Sequence, residues 1–204
     1  LVTKLKSTSL IVTLGTMAIW RGVSMVVTNA VSIQSAVPDF LGLATGFVGP
    51  IPNAVIIAAV LFVVIYYVLN HTTFGRYIYA IGGNQQASRF AGLPVDRMKM
   101  FVYIFGSVLS MLSGVLLASR MASAQPTAGT GFEMIVIASV ILGGVSLSGG
   151  IGTVTGALIG MLILGVLQNA LTLMDVSSFW QDITRGAVII LAVGIDSIRK
   201  ESVA

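Results

Sequence analysis

Long runs of apolar residues are the feature that most constrains what this chain can fold into. A helix needs about 20 predominantly apolar residues to cross about 30 Å of hydrocarbon, and lipid leaves no partner for an unpaired backbone group. The clear runs that can cross as helices are, roughly, Ser9–Asn29, Asn53–Leu69, Met100–Ser119, Thr153–Leu173 and Ser178–Ile195. A shorter run, Met134–Gly143, continues into GGVSLSGGIG and predicts a short or tilted half-helix that ends in a Gly/Ser turn.

No segment predicts a strand, so the expected fold class is all-α. The expected architecture is a polytopic transmembrane helical bundle with about five full helices and one half-helix, forming a single membrane domain over residues 1–204. The composition agrees, because 56% of the residues are hydrophobic and 9% are charged, unlike the averages of soluble domains. The net charge of +4 is explained by membrane topology and predicts no nucleic-acid partner.

The sequence lacks the residues that the common catalytic and cofactor sites need. A phosphate-binding P-loop requires a lysine next to Ser or Thr, and no lysine lies between Lys6 and Lys99 or between Lys99 and Lys200. The chain has one histidine and no cysteine, which leaves no cluster with the spacing of a zinc site. We therefore predict no catalytic residue, no cofactor, no metal and no ATP hydrolysis by this chain.

The basic residues predict an orientation, because cytosolic loops are enriched in Lys and Arg. If the loop Gly75–Lys99 is inside and the half-helix counts as a crossing, both termini are cytosolic. The basic residues then on the cytosolic side are Lys4, Lys6, Arg76, Arg89, Arg97, Lys99, Arg199 and Lys200. Only Arg21, Arg120 and Arg185 fall elsewhere.

A polar, basic segment from Gly75 to Val102 separates two of the apolar runs. Gly82 and Gly83 are expected to break the chain, and Asn84 is expected to cap a short helix over Gln85–Ala91. Gly92, followed by Leu and Pro, would stop this helix. A connection this long, with its own helix, predicts a cytosolic loop (residues 75–99) that is presented to a partner.

Small residues recur at four-residue intervals in two of the apolar runs, which gives each helix a face with few side chains. The residues of these two rows are Gly152, Gly156 and Gly160, and Gly106, Ser110, Gly114 and Ala118. We predict that both rows are helix-packing faces; a pore-lining or hinge role is the alternative.

Charged residues inside apolar runs are costly against lipid, and three of them are candidates for a function. Asp182 and Arg185 lie three residues apart on one face of the last run, so they can neutralise each other. Arg21 either extends outward to the membrane surface or faces a polar pathway or another part of the protein.

Three stretches of the chain resemble a known family. GRYIYAIGGNQQASRFAGL, SRMASAQPTAGTGFEMIVIASVILGGVSLSGGIGTVTGALIG and LQNALTLMDVSSFWQDITRGAVIILAV are similar to the permease subunits of bacterial ABC sugar importers, most closely those for ribose. The resemblance extends along nearly the whole chain. The N-terminal helices of the family have no counterpart in this sequence, so we expect the chain to correspond to about the last two-thirds of a permease.

The resemblance implies an inner-membrane transporter that works by alternating access. The partners that it implies are a cytosolic ATPase subunit, a periplasmic sugar-binding protein and a second permease copy. By the same resemblance, the ATPase-coupling positions are Gly83, Asn84, Gln85, Ala87, Ser88, Arg89 and Gly92. The outer loops, one with Asp39 and one with Arg120 and Gln125, are weaker candidates for contact with the binding protein.

Two other classes of protein remain as alternatives. A secondary transporter needs ionisable groups at mid-membrane, for which this chain offers only Arg21 and the pair Asp182 and Arg185. A membrane scaffold without transport would explain the small-residue rows but not the helix in the polar segment.

Overall fold

The computed structural model describes residues 9–35 and 37–201 of the chain. Of residues 9, 10, 185, 189, 191–193 and 195–201 it describes the backbone alone. Lys4 and Lys6, which entered the orientation argument, lie outside the described residues, as do the side chains of Arg185, Arg199 and Lys200.

The described residues form nine α-helices and four strands of two residues each. The helices are α1 (Ser9–Thr28), α2 (Pro38–Thr45), α3 (Asn53–His71), α4 (Thr73–Gly83), α5 (Gln85–Phe90), α6 (Val95–Met121), α7 (Phe132–Leu142), α8 (Val154–Leu173) and α9 (Ser178–Glu201). The strands are β1 (Ile33–Gln34), β2 (Phe47–Val48), β3 (Ile51–Pro52) and β4 (Ser123–Ala124). The all-α prediction is confirmed.

Four of the described helices, α1, α3, α6 and α8, are long and apolar enough to cross a membrane. Helix α9 forms over the fifth predicted run, and α7 is the predicted half-helix. Helix α6 starts at Val95, directly after Pro94, rather than at Met100. Its 27 residues span about 40 Å, so its polar first turns extend beyond the hydrocarbon.

Contacts group the chain into two compact units. The first unit contains the chain up to Val63 together with Pro94–Ala128, and the second contains Val64–Leu93 together with the chain from Gly129 onward. The single membrane domain over residues 1–204 stays a prediction.

In the first unit, the short helix α2 packs against α6. The Asn53 side-chain amide donates to the Gly42 carbonyl at 2.8 Å and holds the end of α2 to the start of α3. Strands β1 and β4 pair antiparallel, as do β2 and β3. Neither α2 nor any strand was predicted from the sequence, because these elements are short and lie in connections between long helices.

In the second unit, α7 packs against both α8 and α9. The α7–α8 contact is made by backbone: a Cβ at Gly143 would collide with the Gly156 carbonyl, and a Cβ at Gly160 would collide with the Ser139 carbonyl. Ala138 and Ser139 of α7 are each 2% exposed. One face of the half-helix is therefore covered by protein, whereas Met134 and Ile137 on its other side are exposed.

Candidate coupling site

The polar segment predicted as a loop is mostly helical. Helix α4 occupies its first part, α5 its middle, and α6 begins at Val95. Gly82 and Gly83, expected to break the chain, are the last two residues of α4. Helix α4 forms because the Thr72 hydroxyl caps its first turn, accepting from the Gly75 N–H at 3.4 Å, and because its apolar residues recur at helical spacing.

Asn84 joins α4 to α5. Its backbone N–H donates to the Ala80 carbonyl at 3.1 Å and closes α4. Its side-chain Oδ1 accepts from the Ala87 N–H at 2.9 Å and caps α5, at the start predicted for this helix. One residue therefore ends one helix and begins the next.

Gly92 ends α5 with a Schellman motif. Its φ is +80°, its N–H donates to the Arg89 carbonyl at 3.1 Å, and the Leu93 N–H donates to the Ser88 carbonyl at 3.0 Å. A Cβ at Gly92 would meet no atom within 4 Å. Glycine is therefore favoured here by the backbone conformation and not by crowding.

The seven predicted coupling residues lie together on α5 and its two ends. Ser88 is 6% exposed and anchors the helix to the protein. The other six, which are exposed, are Gly83, Asn84, Gln85, Ala87, Arg89 and Gly92. Phe90, the last residue of α5, is 92% exposed and was not among the predicted coupling residues. Its signal was a large aromatic residue in an otherwise polar stretch.

The two small-residue rows have different surroundings. Gly156 and Gly160 lie at the α7–α8 contact, but Gly152 precedes α8 and has a φ of +150°. Helix α8 starts only at Val154 because Thr153 caps it, its hydroxyl accepting from the Gly156 N–H at 3.0 Å. The predicted row therefore does not lie on a single helix.

The row on α6 faces open space. A Cβ at Gly106 or Gly114 would meet no atom within 4 Å. Gly106 and Ser110 line a groove between α6 and α1, together with Trp20 of α1. Their role in helix packing stays a prediction.

The intramembrane charges lie on α1 and α9. Arg21 is partly buried on α1, and Asp182 is exposed near the start of α9. The side chain of Arg185 is outside the described residues, so its pairing with Asp182 stays a prediction. Among the described residues, no three His, Asp or Glu side chains are placed to hold a metal ion.

Comparison with known proteins gives the family. A family model described as "branched-chain amino acid transport system / permease component" matches residues 1–193. The chain belongs to this permease family. Together with the ribose permeases described next, this match confirms the resemblance drawn from the sequence.

Several bacterial permeases are similar to the chain. The ribose import permease protein of Haemophilus influenzae is 44% identical to the present chain, and the match covers 97% of the present chain and 62% of the Haemophilus protein. The ribose import permease protein of Bacillus subtilis is also 44% identical, and the match covers 99% of the present chain and 63% of the Bacillus protein. The L-arabinose transport system permease protein of Escherichia coli is 41% identical, and the match covers 98% of the present chain and 61% of that protein. No solved structure matches the chain. The chain thus spans about three-fifths of the length of these relatives.

Proposed function

We propose that this chain is the membrane-spanning part of an ATP-driven importer that passes a monosaccharide, ribose or a similar sugar, across the bacterial inner membrane. The names of the similar permeases support the sugar class. The long apolar helices support a multi-pass location, and the absence of a P-loop in the sequence leaves ATP hydrolysis to a separate subunit.

In this proposal α5 docks on the cytosolic ATPase subunit. The observation that carries it is that α5 is capped at both ends, held by the buried Ser88, and presents the exposed Arg89 and Phe90. An exposed aromatic next to a cation is typical of a protein-binding surface, where aromatic residues and Arg contribute most of the binding energy. A connecting loop would need neither caps nor an exposed Phe.

The orientation in the proposal follows from the same segment. Residues 75–99 lie inside the cell with Arg76, Arg89, Arg97 and Lys99, and both ends of the chain are cytosolic. The loops that contain α2 and the β1–β4 pair contact a periplasmic sugar-binding protein, and a second copy of the permease completes the pathway. This chain performs no chemistry; closure of the ATPase pair displaces α5, and the helices that line the pathway respond.

Site-specific crosslinking tests the docking. The chain contains no cysteine, so an Arg89→Cys variant carries a single thiol. Co-expressed with an ATPase subunit of a ribose importer, it should form a crosslink that depends on ATP. The matched control is Ser88→Cys, the adjacent position on the buried side of the same helix, which should not crosslink.

Two results would contradict the proposal. One is equal crosslinking from positions 88 and 89, which would indicate non-specific collision. The other is no crosslink from position 89 in protein that is correctly inserted and co-purifies with the ATPase.

A further inference from the structure

The last turn of α4 touches the glycine turn that follows α7. A Cβ at Gly82 would lie 2.6 Å from the amide nitrogen of Gly150 and 3.1 Å from its Cα. In the opposite direction, a Cβ at Gly149 would lie 2.8 Å from the Gly82 carbonyl oxygen, and one at Gly150 would lie 2.6 Å from the Gly83 Cα. The two backbones are therefore in direct contact, and no side chain fits between them.

The α4 side of this contact is continuous with α5. Gly82 is two residues before Asn84, whose backbone closes α4 and whose side chain caps α5. Because one residue makes both caps, through hydrogen bonds of 3.1 and 2.9 Å, we expect a displacement of α5 to move the end of α4 with it.

The other side of the contact is continuous with α7 and α8. Gly144 has a φ of +83°, its N–H donates to the Ile141 carbonyl at 2.8 Å, and the Val145 N–H donates to the Val140 carbonyl at 3.0 Å. This is a Schellman motif that fixes the turn to α7. The turn is closed by the Ser146 N–H, which donates to the Ile151 carbonyl at 3.0 Å.

Helix α8 follows directly and packs on α7 through the backbone of Gly143 and Gly156. The turn and the two helices are therefore connected by hydrogen bonds and backbone contacts at every step. All these residues lie in the second compact unit.

We propose that Gly82 and Gly150 are positioning residues that transmit the displacement of α5 to the α7–α8 pair. Backbone in van der Waals contact cannot be compressed, whereas long side chains in between could change rotamer and absorb the movement. Glycine on both sides makes the contact direct. This inference rests on the proposed function, since it assumes that a docked ATPase moves α5.

The test compares two added methyl groups in the complete, membrane-reconstituted transporter. Gly82→Ala places a Cβ against the Gly150 backbone, whereas the control Gly165→Ala, on α8, places one in open space. Three quantities are measured: crosslinking from Arg89→Cys to the ATPase subunit, sugar uptake, and thiol labelling of Ser148→Cys in the glycine turn. Labelling is compared without nucleotide and with a non-hydrolysable ATP analogue.

With Gly82 intact, we expect the ATP analogue to change the labelling rate of Ser148→Cys. Gly82→Ala should keep the crosslink, lose this nucleotide-dependent change and reduce uptake by about ten-fold, as expected when overpacking displaces a tight contact. Gly165→Ala should behave like the parent protein in all three measurements.

The outcomes separate the two proposals. Suppose that, with Gly82 intact, Arg89→Cys crosslinks to the ATPase but the labelling rate of Ser148→Cys does not depend on nucleotide. This result overturns the inference and leaves the docking proposal standing. Full uptake by Gly82→Ala also overturns it. If no crosslink forms with Gly82 intact, the proposed function fails and the inference with it. Because labelling is measured with Gly82 intact, the test holds even if Gly82→Ala does not fold.

Discussion

The Ser119 hydroxyl donates to the Phe40 carbonyl at 2.7 Å, a hydrogen bond that joins α6 to α2 across 79 positions of the chain. The same oxygen lies 3.1 Å from the Leu41 carbonyl and accepts from the Ala44 N–H at 3.1 Å. Ser119 is fully buried, with 0% exposure. A single hydroxyl therefore satisfies several backbone groups of a short helix that has no side-chain cap of its own.

Ser119→Ala should destabilise the first unit. The substitution removes two buried hydrogen bonds between α6 and α2, to the Phe40 carbonyl and from the Ala44 N–H, each worth about 0.5–1.5 kcal/mol. Denaturant unfolding in detergent micelles measures the loss. The control is Ser107→Ala, on the exposed part of α6, where the hydroxyl bonds only the Tyr103 carbonyl of its own helix. Equal losses from both variants would contradict the role assigned to Ser119.

Phe90→Ala should weaken the ATPase–permease complex. Truncating an aromatic residue at the centre of an interface costs on the order of 2 kcal/mol, or about 30-fold in affinity. The measurement is the affinity of the ATPase subunit for the permease in nanodiscs. Phe105→Ala, which removes an exposed aromatic from the membrane-crossing α6, should leave the affinity unchanged; a similar loss there would argue against docking through α5.

Gly92→Val should uncouple ATP hydrolysis from sugar uptake. A β-branched residue at the φ of +80° is strained by about 1–2 kcal/mol or more, so the end of α5 is displaced. Gly92→Asn is the control, because Asn tolerates this conformation and the site has open space for a side chain. The ratio of sugar transported to ATP hydrolysed should fall for Val and stay near the parent value for Asn. If both variants transport normally, the Schellman end of α5 has no role in coupling.

Gly160→Ala should separate α7 from α8. The added Cβ would collide with the Ser139 carbonyl, and overpacking of this kind costs about 1–3 kcal/mol. Gly165→Ala adds a methyl group to the same helix where no atom lies within 4 Å. It should be neutral or slightly stabilising, because Ala favours the helix more than Gly. Unfolding in micelles compares the two, and equal stabilities would contradict a packing role for Gly160.

The sequence predicted the long helices well because their signal is local. Helices α1, α3 and α8 start within one residue of the predicted runs, and Asn84 caps α5 as expected. Helix α4 was missed because its three glycines and Arg76 suggest a loop. Its Phe74, Ile78 and Ile81 recur at helical spacing, and this signal could have found it.

Tertiary contacts explain the remaining differences. Helix α2 has eight residues, too few to be stable without packing. The side chains that hydrogen-bond its backbone include Ser119, far along the chain, and Asn53. The contact between Gly82 and Gly150 likewise joins two glycine pairs whose spacing in the sequence carries no signal. Phe90 is exposed because α5 packs on the protein through the face that contains Ser88. A helix of six residues is too short for sequence periodicity to predict which of its faces is buried.

The shared cap at Asn84 means that there is no hinge between α4 and α5. A pivot needs at least one residue whose backbone torsions are free to change, and the only residue between these helices is committed to both through its N–H and its side chain. A rotation of α5 about Asn84 would therefore have to break a cap of α4 or of α5, so we expect the two helices to move together. Asn84 therefore fixes the angle between α4 and α5 and does not act as a hinge.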